Sequence, residues 1–215
     1  MQWRIKKCLV LALVLTPSLC AAEQVLKITV FVYNYAEVSG DVLAQSEAEA
    51  GGIYQLVGIG IAWLDCPLSP DQAGQYPACQ VPPGPTRLVV RVLSRVMAER
   101  MRQPEDTFGF ALQPGDGTFG MVANVFSFDA EELAKRRGMS HGVILGHLMA
   151  HELGHLLLGT GGHAASGIMH VPWHRKELEI ITQGLMLFGP AEGEKMRAQI
   201  HARMAGRQAS LVIAK

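Results

Sequence analysis

Charged residues are scarce in this chain of 215 residues: they make up 18% of it, and 19 basic residues balance 19 acidic ones. A protein that binds the nucleic-acid backbone needs a field of excess positive charge, and none is present here. The sequence also contains no internal repeat, no low-complexity tract and no charged tail. These absences exclude a nucleic-acid-binding protein and a repeat array, and they favour an ordinary globular domain.

Long apolar runs are missing too, apart from a short one near the N-terminus. Three basic residues precede an apolar run over residues 8–15, and the small pair Ala21-Ala22 follows it. This order is typical of a secretory signal peptide that is cleaved after Ala22, and the run is too short for a stable membrane anchor. A lipid attached to Cys20 is an alternative, but the bulky Leu19 before it argues against this. We expect an exported protein, either secreted or periplasmic.

Cleavage at this point would remove residues 1–22, which hold three basic residues and no acidic residue. The remaining chain then has 16 basic and 19 acidic residues, a formal net charge of −3. Its 193 residues are enough for one compact domain with an apolar core. We therefore predict a single domain over residues 23–215.

Cysteine is rare as well. The sequence has four cysteines, and Cys8 and Cys20 belong to the predicted signal peptide. Cys66 and Cys79 remain in a chain that would reach an oxidising compartment, where a disulfide is favoured. A metal-binding role for this pair is a weak alternative because no further cysteine is available. We predict a Cys66–Cys79 disulfide.

The stretch with the most chemical content is His151-Glu-Leu-Gly-His155. Two histidines four residues apart lie on one face of an α-helix, so both could offer a ring nitrogen to one tetrahedral metal ion. Glu152 lies one residue further round, where it could reach a water molecule at an open coordination position. Ser140 as N-cap and an apolar stripe before the motif favour a helix. The pattern predicts a catalytic zinc site with Glu152 as general base.

A catalytic zinc site needs a third protein ligand, which we expect from the segment after the helix. The glycine-rich stretch 159–162 predicts the end of the helix and a sharp return of the chain, which could bring His163 to the metal. Four nearby residues are alternatives for this ligand: His170, His174, Glu177 and Glu179. We interpret His147, one turn before His151, as a packed histidine bonded to a neighbour.

From this motif onwards the chain resembles the metzincin zinc peptidases, whose pattern is His-Glu-x-x-His-x-x-Gly-x-x-His followed by a methionine turn under the metal. Gly159 comes one residue later than in that pattern and His163 two residues later, so the loop before the third ligand is longer. Met169, in a Gly-Ile-Met sequence, lies six residues after His163, a spacing similar to that of the matrix-metalloprotease branch. The resemblance implies that Met169 forms the methionine turn.

The order of the predicted elements also resembles a metzincin domain. The resemblance implies an α+β fold with a mixed, twisted sheet of about five strands, an antiparallel edge strand, an active-site helix and a C-terminal helix. Strands are predicted over residues 25–35, 60–64, 86–95, 107–112 and 118–128. Helices are predicted over residues 41–57 (capped by Asp41), 129–138 (capped by Asp129), 176–188 and 190–205, besides the zinc helix. In that family the edge strand, here 108–112, binds the substrate as an additional strand.

These features predict an exported zinc-dependent endopeptidase that acts on peptide or protein substrates. The ligands of its one zinc ion would be His151, His155 and His163. A zinc-activated water would attack the peptide bond, with Glu152 as general base. Two alternatives stay open: a zinc-containing binding module that does not cut, and a zinc amidase that acts on a non-protein amide. Glu152 argues against the binding module because a site that only holds a metal needs no base.

Overall fold

The structure, a computed structural model, describes residues 26–101, 107–114, 119–159 and 162–213. The signal peptide predicted at residues 1–22 lies outside the described residues. The strands are β1 (Leu26–Asn34), β2 (Ile59–Asp65), β3 (Arg87–Leu93), β4 (Gly109–Leu112) and β5 (Val122–Phe126). The helices are α1 (Gly40–Gln55), α2 (Pro70–Ala73), α3 (Arg95–Arg100), α4 (Ser127–Arg137), α5 (His141–Leu158), α6 (Arg175–Thr182) and α7 (Pro190–Ile213), and a 3₁₀ turn covers Pro77–Gln80.

The strands form a five-stranded sheet in the order β2-β1-β3-β5-β4. β1 runs parallel to β2 and β3, and β3 runs parallel to β5, whereas β4 is antiparallel to β5 at the edge of the sheet. Parallel neighbours need long connections, and α1 is the connection between β1 and β2. The prediction of an α+β fold with a mixed sheet and an antiparallel edge strand is confirmed.

The two faces of the sheet are covered differently. Alternate residues of a strand point to opposite faces, and Val30 and Val32 of β1 belong to the main apolar core together with residues of α1 and α5. Phe31 points to the other face, where it forms a smaller cluster with Cys66 and Val89. α1 and α5, the second of which carries the predicted zinc ligands His151 and His155, therefore lie on the same face of the sheet.

The predicted disulfide closes a segment on the other face. Cys66 and Cys79 are bonded, with their Cα atoms 5.7 Å apart. The segment between them follows β2 and contains α2 and the 3₁₀ turn. Cys79 packs against the small apolar cluster, so the bond anchors the segment away from the main core.

α5, which carries His151, Glu152 and His155, is the central helix of the main core. It contacts α1, α4, α7, β3, β4 and β5. Most of its residues are buried, as expected for a helix that is apolar on all sides. As predicted, it begins after Ser140, and it ends at Leu158, directly before Gly159 (φ +82°). The Ser140 hydroxyl does not cap the helix but donates to the Gln45 side chain. In the part of the chain that the structure describes, no helix has both the length and the apolarity needed to cross a membrane.

Two helices begin earlier than predicted. α1 is capped by Ser39 rather than Asp41, because the Ser39 hydroxyl accepts a hydrogen bond from the main-chain N–H three residues later. α4 begins at Ser127, two residues before the predicted cap Asp129 and directly after β5. Phe128, predicted as strand, therefore belongs to a helix. Both acidic residues lie in the first helical turn, where a negative charge is also favourable, so composition alone misplaces the cap.

The helix predicted over residues 176–188 ends at Thr182. Gly184, with φ +68°, takes the chain out of the helical conformation. The carbonyl of Leu187 then accepts a hydrogen bond from the N–H of Ile168. This contact requires extended chain and brings the residues after α6 against the segment that follows α5.

The other elements differ from their predicted bounds by a few residues, most clearly at three positions. β3 ends at Leu93 rather than at residue 95, because Arg95 already begins α3. β5 begins at Val122, and its predicted start at residue 118 lies outside the described residues. α7 begins at Pro190 as predicted and continues beyond residue 205 to Ile213.

Candidate metal centre

Two of the predicted zinc ligands lie on α5 itself. His151 and His155 are one helical turn apart, and their Nε2 atoms are 3.1 Å from each other. Nitrogen ligands about 2.0–2.1 Å from a tetrahedral zinc ion lie roughly 3.3 Å apart, so the two rings have nearly the separation that a shared ion requires. The helical spacing of the motif accounts for this pair.

His163 completes a group of three metal-ligating side chains. One possible ligand atom from each of His151, His155 and His163 lies within 4.8 Å of the others. The ring of His163 is centred 5.6 Å from that of His151 and 4.8 Å from that of His155. Because the backbone of Gly159 has a positive φ, the chain can leave the helix there and return to the two rings. The longer loop still brings His163 to the site.

The four alternative third ligands are not part of this three-histidine group. The Glu177 carboxylate caps α6 by accepting a hydrogen bond of 2.9 Å from the N–H of His174. Glu179 forms an exposed ion pair with Arg175. His170 donates from Nδ1 to a main-chain carbonyl and has its other ring nitrogen 3.8 Å from Glu177. Three of the four residues that compete with His163 in the sequence, Glu177, Glu179 and His170, thus have other partners.

A main-chain carbonyl orients the His151 ring. The oxygen of Ile168 can only accept, so His151 Nδ1 carries a proton and donates it across 2.7 Å. This leaves Nε2 of the same ring as the atom that could bind a metal ion. Gly167 positions the carbonyl: its φ is +78°, and a Cβ atom there would lie 2.6 Å from the oxygen of Leu187. Only glycine fits that position.

Met169, the predicted methionine of the turn, packs directly against α5. Met169 is fully buried, and its main-chain oxygen accepts a hydrogen bond from the N–H of Ala164. A Cβ atom at Gly154 would come 2.7 Å from the Met169 sulfur and 3.0 Å from the Phe188 ring. Since Gly154 lies between the two helix ligands, Met169 supports the turn of α5 that carries both of them.

Glu152, the predicted general base, is buried between α5 and β4. Its side chain is 5% exposed, and Oε2 has no hydrogen-bond partner among the described residues. A Cβ atom at Gly109 of β4 would lie 2.9 Å from both Cγ and Oε1 of Glu152. The carboxyl group therefore rests against the backbone of the edge strand.

Burial shifts the pKa values of the ionisable groups in the centre. Burial first, and then the neighbouring histidines, lower the pKa of His151 and that of His155 to about 4. At neutral pH both rings are thus uncharged and keep a lone pair for a metal. Burial raises the pKa of Glu152 to about 8, and a divalent cation beside it would oppose this shift by favouring the carboxylate.

The donor set fits a transition-metal ion. Three neutral imidazole nitrogens could hold zinc or another divalent first-row metal, and three protein ligands leave a coordination position open. The unpartnered oxygen of Glu152 on the same helix is a group that such an open position could use. The described residues therefore form a possible three-histidine metal site with an adjacent carboxyl group.

A cavity of about 570 Å³ adjoins two of the three histidines. His151 and His163 line it at one end, and its walls come from the start of β4, from α4 and from residues 171–174. Trp173 is one wall residue, and its Nε1–H donates to the oxygen of His170 across 2.7 Å. The walls are mainly apolar, as in sites that receive an apolar side chain.

Two contacts that shape the centre were not predicted from the sequence. Gly109 was detectable in principle, because a glycine inside a strand indicates a close approach of another group. Gln113 donates from Nε2 to the carbonyl of His155 across 2.5 Å, and no sequence pattern points to a contact between residues so far apart. His147 is buried and bonded within its own helix, as we interpreted it: its Nδ1 donates to the oxygen of Val143.

No known family model matches this chain, and no curated protein matches its sequence. The chemistry of the centre must therefore follow from the residues that form it.

Proposed function

We propose that this chain is an exported zinc-dependent endopeptidase. The observation that carries the proposal is the convergence of three histidine nitrogens beside the buried carboxyl group of Glu152, whose Oε2 has no hydrogen-bond partner among the described residues. Burying a carboxyl group without a partner costs free energy. A metal that served stability alone would give no reason for this cost, whereas hydrolysis needs a base at this place.

In this proposal each group of the centre has one task. His151, His155 and His163 hold the ion through neutral imidazole nitrogens. When bound, zinc supplies a Lewis acid that polarises a substrate carbonyl and acidifies a water molecule. Glu152 accepts a proton from the attacking water at a carboxylate oxygen and then donates it to the nitrogen of the leaving amine.

β4 is the proposed binding strand for the substrate main chain. It pairs with β5 on one side and lies at the edge of the sheet. The N–H and C=O groups of an edge strand can pair with an extended peptide. Because Gly109 of β4 touches Glu152, a peptide on this edge would place its peptide bonds beside the centre. Main-chain pairing of this kind suits a peptidase with broad sequence tolerance.

The adjoining cavity is the proposed binding site for one substrate side chain. Leu133, Leu148 and Trp173 contribute apolar walls to a volume of about 570 Å³. Such a volume can hold a large side chain, and its burial would contribute roughly 1.5–3 kcal/mol. We expect a preference for substrates with a large apolar residue next to the cleaved bond.

Membership of the metzincin family is part of the proposal. Its support is the placement of Met169 against α5, the antiparallel edge strand, and the approach of His163 despite the longer loop. Export is supported by the signal-peptide pattern at residues 1–22 and by the Cys66–Cys79 disulfide, a bond typical of oxidising compartments.

Cleavage of a mixed peptide library by the zinc-loaded protein tests the proposal. We expect the wild type to cut, and Glu152→Gln to lose roughly 10²–10⁴-fold of the rate while its zinc content stays the same. Glu179→Gln, which removes an exposed carboxylate from α6, is the matched control and should cut like the wild type. Rapid cleavage by zinc-loaded Glu152→Gln would disprove the role of this residue. A zinc-loaded wild type that cuts no peptide would favour the amidase or the binding module.

A further inference from the structure

α7 places one arginine inside the protein. The Arg203 side chain is 1% exposed. Burial lowers its pKa only to about 10, so the guanidinium stays charged at neutral pH. Moving such a charge out of water costs several kcal/mol unless strong partners replace the water. A buried arginine therefore points to a structural role for its contacts.

Main-chain carbonyls are the partners that compensate this charge. Nη1 of Arg203 donates to the oxygens of Pro85 and Gly120, each across 3.1 Å, and Nη2 donates to the oxygen of Leu156. The guanidinium carbon also lies 4.7 Å from the centre of the Phe119 ring. Pro85 precedes β3, Gly120 precedes β5, and Leu156 belongs to the last turn of α5. A single side chain thus joins three separate segments.

The contact with Leu156 bears most directly on the metal centre. The last four carbonyl groups of a helix lack partners within it and carry partial negative charge. α5 ends at Leu158, so the carbonyl of Leu156 is one of these groups. The neighbouring carbonyl, that of His155, accepts from Gln113 and from the N–H of Gly159. Side chains from other elements thus hold successive carbonyls at the end of the ligand-bearing helix.

We propose that Arg203 is a positioning residue for the metal centre. By holding the carbonyl of Leu156, it fixes the last turn of α5 and the start of the loop that leads to His163. The rings of His155 and His163 then meet at one point. The inference rests on the proposed function, in which the three histidines hold zinc. Through Arg203, zinc affinity would depend on α7, a helix that contributes no member of the histidine group.

The same helix offers a matched control. Arg197 likewise donates from Nη1 to a main-chain carbonyl, that of Val57, across 2.8 Å. Val57 follows α1 and has no contact with the histidine group among those described. Replacing either arginine removes an arginine–carbonyl contact of α7, so a general loss of stability would affect both variants. Only the loss of Arg203 should also affect zinc affinity.

The experiment compares Arg203→Met with Arg197→Met, each purified after expression of the full chain. Zinc affinity is measured by competition with a fluorescent chelator, and thermal unfolding is recorded for the same samples. We expect Arg203→Met to bind zinc about 10- to 100-fold more weakly, the range seen when an outer partner of a metal site is lost. Arg197→Met should unfold at a lower temperature with wild-type zinc affinity.

Lysine variants keep the test decisive if a methionine variant does not fold. Lysine retains the charge but cannot reach three carbonyls at once, so Arg203→Lys should weaken zinc binding less than Arg203→Met and Arg197→Lys should not weaken it. Wild-type affinity in a folded Arg203 variant would overturn the inference and leave the proposed function intact. An equal loss in the Arg203 and Arg197 variants would overturn it too. A wild type that binds no zinc would overturn the proposed function itself and this inference with it.

Discussion

Two irregular segments of the protein are held in place by different means. The segment between Cys66 and Cys79 is closed by a covalent bond and lies against a small apolar cluster. The segment from His155 to Met169 connects to its surroundings through buried hydrogen bonds, including those of Ile168 with His151 and with the segment after α6. The first lies on the sheet face away from α5, and the second carries the third histidine of the group.

Because the two segments are held by different means, we expect one to affect the stability of the protein and the other to affect its metal site. A disulfide stabilises mainly by restricting the unfolded chain, so its effect does not depend on a metal. The second segment places His163, and in our proposal its order and zinc binding depend on each other. Changes near the disulfide should therefore alter stability alone, whereas changes near the histidines should alter zinc affinity and cleavage.

The largest effect is expected from His163→Ala. Loss of a ligand should weaken zinc binding by more than the roughly 10- to 100-fold that loss of an outer partner costs, and cleavage should disappear. Chelator competition measures the affinity, and limited proteolysis should show faster cutting after Gly159. His201→Ala, which removes an exposed histidine of α7 outside the three-histidine group, is the control and should keep wild-type affinity. Unchanged zinc content of His163→Ala would contradict the assignment of this ligand.

Joint replacement of Cys66 and Cys79 by serine should have the next largest effect. In the chain-entropy account, a loop of this length contributes about 3 kcal/mol to the free energy of unfolding, which urea denaturation would measure. Zinc affinity and cleavage by the folded fraction should stay at the wild-type level. If zinc affinity fell with stability, the two segments would not be independent and the comparison would fail.

A smaller effect on cleavage is expected from Gly109→Ala. The added Cβ atom would lie 2.6 Å from the main-chain oxygen of Asn124 and 2.9 Å from Cγ and Oε1 of Glu152, so both the strand pairing and the carboxyl group must shift. We expect roughly tenfold slower cleavage, or about 1.4 kcal/mol, with zinc still bound. Gly74→Ala is the matched control in the disulfide segment, because a Cβ atom there meets nothing within 4 Å. Peptide cleavage rates at saturating zinc decide the outcome. Wild-type rates in Gly109→Ala would argue against the close packing of Glu152 on β4.

The smallest effect is expected from Glu47→Gln beside the disulfide segment. Burial first, and then the neighbouring Asp65, raise the pKa of Glu47 from 4.5 to about 8. Between these two values the folded protein keeps a proton that the unfolded chain releases, so wild-type stability falls as the pH rises. The variant lacks this pH-dependent loss of stability. Near pH 8 its free energy of unfolding should exceed that of the wild type by on the order of 1 kcal/mol, a figure reduced for solvent screening.

Urea denaturation of wild type and Glu47→Gln at pH 8 and at pH 4 measures this effect. The advantage of the variant should vanish below the ordinary pKa of a glutamate, and zinc affinity at pH 8 should match the wild type. An equal advantage at both pH values would show that charge is not its cause.

Predictions from the sequence succeeded where neighbouring residues decide the structure. The spacing of His151 and His155 is a helical turn, and Gly159 ends that helix because it adopts a positive φ. Strand positions followed from β-branched runs, and the disulfide followed from having two cysteines left in a chain that we predict to be exported. The predicted caps of α1 and α4 were wrong. Asp41 and Asp129 lie inside the first helical turn, where an acidic side chain is also favourable, and each helix begins before them.

By itself the sequence determined the pair of histidines on one helix, the adjacent carboxyl group and the end of that helix, since each depends on residues a turn apart. Only the tertiary structure decided the third member of the group. The Glu177 carboxylate caps α6, whereas the ring of His163 lies beside those of His151 and His155. The hydrogen bonds of Gln113 and Arg203 were likewise decided only by the tertiary structure. Their acceptors at the end of α5 are 42 and 47 residues away in the sequence. Contacts over such separations depend on where the chain returns, and no local pattern encodes that.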